Sequence, residues 1–304
     1  MRVLYLCYIL LKEQPTIIHY FLPEAYLVGA VCSIFSPRSI RVMSRRSLNV
    51  YQKQKPLLKH FEYFIHRFMH LILGNSKAVV NELNEEGIEK DKIKLIYNGI
   101  ATPELINNEL KNCVRKILDM SESILVISII SNLIPYKGHK DLLYALKTIS
   151  AELPKEWLLL CVGRDGGYSK ELINLAEELN LNEHIKFVGH TRDTASYLDA
   201  ADIGVLPSHQ EGFSNSLLEG MSHGLPMIAA DVGGNSEAIT DGINGFIVPA
   251  HSPELLGEKI LLLVKDVDIR NKFGRKAYET VKKNFSIDQC VSQYISTYND
   301  LLER

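Results

Sequence analysis

The chain has 304 residues, which is enough for about two domains that each bury a hydrophobic core. A composition of 46% hydrophobic and 23% charged residues excludes a disordered or collagen-like chain, and a formal net charge of −2 argues against nucleic acid as a partner. The five cysteines form no C-x-x-C pair, so we expect neither a disulfide framework nor a zinc ribbon, and a reducing, cytoplasmic location.

The chain begins with an apolar run over Met1–Leu11. This run is too short to span a bilayer, which needs about 20 residues. The residues after it do not form a small-x-small cleavage site of the kind that follows a signal peptide. The run therefore predicts a buried strand or the remnant of a buried helix.

Basic residues are in excess in the N-terminal part of the chain. From Met1 to Val80 there are eleven Lys and Arg against three acids, a balance of +8. Such a block predicts either a solvated helix face or a surface for an anionic substrate or anionic lipid headgroups. The residues of this basic block are Arg38, Arg41, Arg45, Arg46, Lys53, Lys55, Lys59 and Arg67.

Short apolar runs and amphipathic segments alternate in the first hundred residues, which predicts strands that are separated by helices. The predicted strands are Thr16–Tyr20, Ile40–Met43, Leu71–Gly74 and Lys94–Tyr97, and the predicted helices are Pro23–Phe35, Leu57–His70 and Lys77–Gly87.

The same alternation is more regular after Ser123. Continuous apolar strands between helices indicate a parallel sheet covered on both faces, with ligands beyond the carboxyl ends of its strands. The predicted strands are Ile124–Ile130, Trp157–Val162, Ile185–Val188, Ile203–Leu206, Met227–Ala230 and Phe246–Val248. The predicted helices are Lys140–Ser150, Ser169–Asn180, Thr194–Ala200, Asn215–His223 and Ser236–Thr240.

A polar link with a proline, around Thr102–Asn112, predicts a domain boundary. We therefore divide the chain into an N-terminal domain over 1–105 and a second domain over 106–285. The helix-rich residues 286–304 form a C-terminal helix that we expect to pack back toward the N-terminal domain.

The segment Pro207–Pro226 follows a predicted strand and carries two carboxylates, Glu211 in a loop and Glu219 in the helix that comes next. Both could accept hydrogen bonds from one polyhydroxylated ligand, while free N–H groups near Ser214–Ser216 would face an anion. An alternative is structural, because Ser216-x-x-Glu219 also has the spacing of a capping box. Spacing alone does not separate the two interpretations.

Several motifs in one order along the chain resemble those of the family 4 glycosyltransferases, which are retaining enzymes with the GT-B fold. Glu211 and Glu219 match the E-x7-E motif of that family, and Lys137-Gly138 matches its K-G element. The resemblance implies an α/β protein of two Rossmann-like, doubly wound parallel-sheet domains. The other matching segments are Asn75-Ser76, Tyr97-Asn98-Gly99, Ser128–Asn132, Val162–Gly166, Phe187–Thr191 and Asp231–Glu237.

The resemblance also implies roles for individual residues. Glu211 would contact donor-sugar hydroxyls beside the reacting carbon, and Glu219 the nucleotide ribose. Lys137 would neutralise the diphosphate together with nearby amides, so no metal or other cofactor is expected and UDP is expected rather than GDP. Glu211 and Lys137 are thus the expected catalytic residues. The remaining donor-binding positions are Asn132, Gly138, Gly163, Gly212, Phe213, Ser214, Asn215, Ser216, Gly233 and Gly234, the last two of which would otherwise form only a tight turn.

The chain departs from the family pattern in two respects. Asn132 stands where many relatives carry Arg, so Lys137 would carry more of the diphosphate charge. The opening strands of the family have no counterpart, so we expect an incomplete N-terminal domain that a partner chain could cover. The acceptor-side histidine of the family would fall near Ser44–Arg46, where this chain has none.

Two functions of different classes follow. The first is a hexosyltransferase that moves a hexose from a nucleotide-diphosphate sugar to a cell-envelope glycan or lipid-linked acceptor, at the inner face of the membrane. The second is a catalytically impaired donor-binding remnant, or a subunit that a partner chain completes. A nucleotide-sugar epimerase of the same fold is a weaker third interpretation, because such enzymes place their carboxylates and histidines differently.

Three features could suggest a metal or phosphate site, and we interpret each as structural. Asp266-Val-Asp268 has the D-x-D spelling but follows a helical run, so it predicts a helix start. His66 and His70 lack an acidic third ligand at metal spacing. His139 could lie beside a phosphate, but a lone histidine at a helix start is usually structural.

Overall fold

The computed structural model describes residues 2–49 and 56–303 of the chain. It divides into an N-terminal unit, formed by Met1–Asn98 with Cys290–Arg304, and a C-terminal unit, Gly99–Gln289. The division predicted from the sequence has its boundaries after residues 105 and 285.

The N-terminal unit contains a four-stranded parallel sheet in the order β1-β2-β3-β4. Because the strands follow one another in chain order, the right-handed connections between them place helices on one face. The strands are β1 (Ile17–Phe21), β2 (Ile40–Arg45), β3 (Leu71–Gly74) and β4 (Ile93–Leu95), and the helices are α1 (Arg2–Glu13), α2 (Pro23–Cys32), α3 (Pro56–His66) and α4 (Lys77–Glu85).

Each face of this sheet has its own apolar cluster. Side chains from the helices pack on one face around Tyr26, Ile72 and Leu83. On the other face, Val42 and Leu73 belong to a cluster that includes Leu301 of the C-terminal helix, Ile287–Leu302. The last helix of the chain therefore covers the sheet face that α2 to α4 leave open.

Three predictions for this unit need correction, and the helix predicted over Leu57–His70 is also too long, since α3 ends at His66. Residues 2–11 of the predicted run lie in α1, and among these described residues only Leu10 is buried, so the predicted burial is wrong. The helix predicted over Pro23–Phe35 ends at Cys32 and continues as a 3₁₀ turn, Ser33–Phe35. The last strand is Ile93–Leu95 rather than Lys94–Tyr97.

The C-terminal unit contains a six-stranded sheet in which the strands pair in parallel. The predicted doubly wound sheet is confirmed. The strands are β5 (Leu125–Ile130), β6 (Trp157–Val162), β7 (Ile185–Gly189), β8 (Ile203–Leu206), β9 (Met227–Ala230) and β10 (Gly245–Val248). The helices are α5 (Asn108–Ile117), α6 (His139–Ile149), α7 (Ser169–Glu178), α8 (Thr194–Ala200), α9 (Asn215–Ser222), α10 (Asn235–Ala238), α11 (Pro253–Lys265) and α12 (Val267–Asn284).

The strand order β10-β9-β8-β5-β6-β7 contains a topological switch point. From β5 the chain winds outward through β6 and β7, and it then returns to β8 and winds outward in the opposite direction. Ligands of open α/β sheets bind beyond the carboxyl ends of the strands at such a point. The loops that follow β5 and β8 are therefore where a site is expected. Within the described ranges, none of the helices combines the length and the apolar character that crossing a membrane requires.

Candidate active site

Lys137 and Glu211 meet at the switch point. Lys137 ends a 3₁₀ turn, Pro135–Lys137, in the loop after β5, and Glu211 lies in the loop after β8. The Lys137 Nζ donates a hydrogen bond to Glu211 Oε1 at 2.6 Å, and the two side chains are only 16% and 11% exposed. Partial burial lowers the local dielectric, so this ion pair is stronger than one on an open surface.

Main-chain contacts hold the two loops together beside the ion pair. Gly138 has φ +74°, and a Cβ there would lie 2.0 Å from the carbonyl oxygen of Pro207. The backbone N–H of His209 donates to the carbonyl oxygen of Tyr136 at 2.7 Å. Glycine at 138 is thus required both by its left-handed conformation and by the close approach of the second loop.

A third loop, after β9, packs against the loop that carries Glu211. The N–H of Gly234 donates to the carbonyl oxygen of Gly212 at 2.7 Å. Gly233 has φ +56°, and a Cβ there would lie 2.1 Å from the carbonyl oxygen of Glu211. The two glycines therefore do form a tight turn, and that turn supports the backbone of Glu211 directly.

The start of α9 decides between the two interpretations of Glu219. The N-cap is Ser214, whose hydroxyl accepts from the N–H of Leu217 at 3.4 Å. The capping box that the Ser216–Glu219 spacing suggests would need Ser216 at the cap, so that alternative is wrong. Glu219 lies instead in the second turn of α9, where burial raises the pKa of its carboxyl group. It is a half-buried acid in the helix that follows the loop of Glu211.

The predicted donor-binding residues near the start of α9 differ in the exposure of their side chains. Asn215 is exposed at the first turn of α9. The side chain of Phe213 is buried and its ring packs on Phe285, with centroids 5.2 Å apart, so only its main chain can face a ligand. The sequence analysis did not foresee this core role.

Asn132 and Gly163 lie together at the ends of β5 and β6. A Cβ on Gly163 would lie 2.0 Å from the carbonyl oxygen of Ser131. The Asn132 side chain accepts from the N–H of Arg164 at 3.3 Å. The main chain of Arg164, an exposed residue, thus lies beside Asn132, and the sequence analysis gave this arginine no role. Its position depends on β5 and β6 being neighbours, a fact that no local pattern in the sequence contains.

Four residues that the sequence analysis set aside have structural roles in the part of the chain that the structure describes. Asp266 is the N-cap of α12 and accepts from the N–H of Ile269 at 2.9 Å. His66 is buried and bonded to Tyr26, whereas His70 is exposed and accepts from the N–H of Arg41, so the two histidines do not form a pair. His139 is buried at the start of α6, and burial lowers its pKa to about 4.

The basic block is not one continuous surface. Arg45 is buried and bonded to Glu62 and Glu86, at 3.1 Å and 2.6 Å. Lys53 and Lys55 lie outside the described residues. Of the other members, Arg38, Arg46 and Arg67 are exposed, and Arg41 and Lys59 are half-buried.

Solved structures with this architecture are GT-B proteins. The Anabaena protein Alr3699/HepE, solved in complex with UDP-glucose, is 24% identical to this chain and superposes with a TM-score of 0.89, over 98% of this chain and 82% of that one. At this identity the likeness establishes the fold, and the predicted GT-B architecture is confirmed.

Curated relatives cover the chain to different extents. A capsular polysaccharide biosynthesis glycosyltransferase, CapM of Staphylococcus aureus, is 26% identical over 312 residues, which are 96% of this chain and 78% of that protein. The N-acetyl-alpha-D-glucosaminyl L-malate synthase of Bacillus anthracis is 28% identical over 76% of this chain and 60% of its own length.

Two family models match along most of the chain. The model of the glycosyltransferases of family 4 matches residues 2–103. The model of the glycosyl transferases of group 1 matches residues 114–280, the part that contains Lys137, Glu211 and Glu219. The chain therefore belongs to the group 1 glycosyl transferase family.

Proposed function

We propose that the protein is a retaining hexosyltransferase that uses a UDP-hexose as donor and a cell-envelope glycan or glycolipid as acceptor. The observation that carries this proposal is the partly buried pair of Lys137 and Glu211 at the switch point of the C-terminal sheet. The name of the S. aureus relative supports a glycan acceptor, and the UDP-glucose complex of the Anabaena protein supports the donor.

The pair explains how donor binding and chemistry are linked. A diphosphate that enters the site attracts the Lys137 ammonium away from Glu211, and the hydroxyl groups of the attached hexose offer Glu211 new hydrogen bonds. As the bond between the sugar and the diphosphate breaks, the ammonium and the N–H groups at the start of α9 stabilise the departing charge. Retention requires that the acceptor oxygen attacks from the face that the diphosphate leaves. These residues supply the charge stabilisation without a divalent metal.

The proposal is tested with Glu211→Ala and Lys137→Met, and with Glu258→Ala, an exposed acid on α11, as the matched control. We expect Glu211→Ala to lower transfer from UDP-glucose by about 10²-fold or more. It should retain UDP binding, because UDP no longer competes with a carboxylate for the ammonium. Lys137→Met should lose UDP affinity. Unchanged turnover in Glu211→Ala would refute the assignment.

The second candidate, a donor-binding remnant or a subunit that needs a partner chain, is favoured by one observation. The resemblance places an acceptor-side histidine near Ser44–Arg46, and Arg45 is instead buried in ion pairs with Glu62 and Glu86. This candidate predicts UDP binding by calorimetry without hydrolysis or transfer of the sugar to any envelope glycan. Transfer by the purified chain alone would exclude it.

We also propose peripheral attachment to the inner, anionic face of the cytoplasmic membrane through the N-terminal unit. Phe61, Phe64 and Phe68 are exposed beside an apolar groove between α2 and α3, with a cavity of about 220 Å³, and the exposed Arg67 adds positive charge next to them. Aromatic side chains beside cations suit the interface of an anionic bilayer. Flotation with vesicles that contain phosphatidylglycerol, but not with phosphatidylcholine alone, is the expected result. Phe64→Ser should weaken flotation with the phosphatidylglycerol vesicles. Flotation that changes neither with the lipid headgroup nor with this substitution would contradict the proposal.

A further inference from the structure

Three metal-ligating side chains converge in the C-terminal unit, and the proposed transfer reaction uses none of them. Asp141 lies in the first turn of α6, His209 in the loop after β8, and His251 in the loop between β10 and α11. One ligand atom from each lies within 4.8 Å of the others. Three separate elements thus present two imidazoles and a carboxylate to one point.

We propose that Asp141, His209 and His251 form a binding site for a divalent transition metal of the zinc class. Two imidazole nitrogens and one carboxylate oxygen are a common donor set for such ions, and a water can complete four-coordination. Ligand atoms bound tetrahedrally at about 2.0–2.1 Å lie about 3.4 Å apart. The Asp141 Oδ2 is 2.8 Å from His209 Nε2 and 3.9 Å from His251 Nδ1. The first distance is shorter and the second longer than this ligand-to-ligand distance.

The side chain that must adjust is free to do so. His251 is 67% exposed, so rotation of its ring meets little resistance, whereas Asp141 and His209 are partly buried and hold each other. The exposure of His251 also leaves the site open to ions from solution. We therefore expect exchangeable binding rather than a permanently trapped ion.

The hydrogen bond between His209 and Asp141 explains only part of this arrangement. The contact between His209 and Asp141 would be complete without a third residue. The ring of His251 nevertheless lies against that of His209, with centroids 3.7 Å apart, on a backbone with φ +58°. A non-glycine residue in this left-handed region is uncommon and carries a conformational cost. A shared metal ion gives this strained placement of a second imidazole a function.

The metal would act on the position of the loops. His209 precedes Glu211 by two residues, and its backbone N–H is bound to Tyr136, the neighbour of Lys137. An ion held by Asp141, His209 and His251 would therefore link the loop after β8 to α6 and to the loop after β10. It would restrain the backbone that carries Glu211 without entering the reaction.

The test needs no sugar nucleotide, so its outcome is separate from that of the proposed transfer. Chelator-treated full-length protein is titrated with Zn²⁺ by calorimetry, and Co²⁺ is used to follow the absorption bands of a four-coordinate site. His251→Gly is the key variant, because glycine accepts the left-handed backbone and removes only the ligand. Asp141→Asn is the second variant, and His190→Ala, at an exposed histidine elsewhere, is the matched control.

We expect one saturable Zn²⁺ site in the wild type and in His190→Ala, with at least tenfold weaker binding in His251→Gly and Asp141→Asn. The rise in melting temperature on Zn²⁺ addition should disappear in the same two variants, while His251→Gly without metal melts no lower than the wild type. Equal Zn²⁺ affinity in all four proteins, or an absence of saturable binding in the wild type, would overturn the proposal.

Discussion

The contact between the two loops of the active site can be tested by adding one methyl group. In Gly138→Ala, the new Cβ would lie 2.0 Å from the oxygen and 2.7 Å from the carbon of the Pro207 carbonyl. A normal contact between a methyl group and an oxygen is about 3.4 Å or more, so the two segments must separate by more than about 1 Å. The two bonds that join the same segments, Lys137 to Glu211 and His209 to Tyr136, would then lengthen or break.

The cost has two parts. A left-handed alanine costs about 1–2 kcal/mol, and forcing a methyl group into a packed contact costs about 1–3 kcal/mol. Gly242→Ala separates these parts, because Gly242 has φ +71° but its Cβ would meet no atom within 4 Å. We expect Gly242→Ala to lose only the cost of the left-handed alanine, about 1–2 kcal/mol of unfolding free energy. Gly138→Ala should lose about 2–5 kcal/mol in total.

Urea unfolding and UDP titration measure the two consequences. UDP affinity should fall by more than tenfold in Gly138→Ala, because a change of 1.4 kcal/mol at the site is enough for that factor. It should stay at the wild-type value in Gly242→Ala. Equal stability and equal UDP affinity in the two variants would show that the loops are not held together by this contact.

Two further predictions concern buried charged and titratable groups. Arg45→Met should lower the stability of the N-terminal unit by about 3–5 kcal/mol in urea unfolding, because Glu62 and Glu86 lose their buried partner; an effect no larger than that of the exposed Arg67→Met would contradict this. Burial holds the pKa of His139 at about 4, below its usual 6.5. The buried, neutral imidazole therefore contributes fully to the free energy of unfolding above pH 6.5, and this contribution is lost as the pH falls toward 4. Unfolding of the C-terminal unit at pH 7 and pH 5 should differ less in His139→Leu than in the wild type.

Three strands that are buried on both faces were predicted to the residue. Trp157–Val162, Ile203–Leu206 and Met227–Ala230 are uninterrupted apolar runs, and such runs have only one stable location in a sheet covered by helices. The edge strand β4, Ile93–Leu95, is only half-buried, so its ends carry a weaker apolar signal and the prediction was displaced. α1 was wrongly predicted to be buried, because an apolar sequence does not reveal whether another part of the chain packs against the segment.

The charged residues illustrate a different limit. Arg45 was counted with a basic surface, since charged residues are seldom buried. It is buried because Glu62 in α3 and Glu86, the residue that follows α4, neutralise it. Burial of a charge depends on partners that are distant in sequence, so no window of the sequence around Arg45 contains the information.

The same reasoning separates what could be foreseen at the site from what could not. Lys137 and Glu211 each follow a strand, and a doubly wound sheet brings such loops to one edge, so their convergence follows from the predicted fold. The grouping of Asp141, His209 and His251 needs more, because β8 must lie beside β5 and the loop after β10 must turn back toward α6. Local patterns predict which segments are strands, whereas the order of the strands decides which loops share an edge. The pair of Lys137 and Glu211 depends only on which segments are strands, so it was predictable. The group of Asp141, His209 and His251 depends on the order of the strands, so it required the structure.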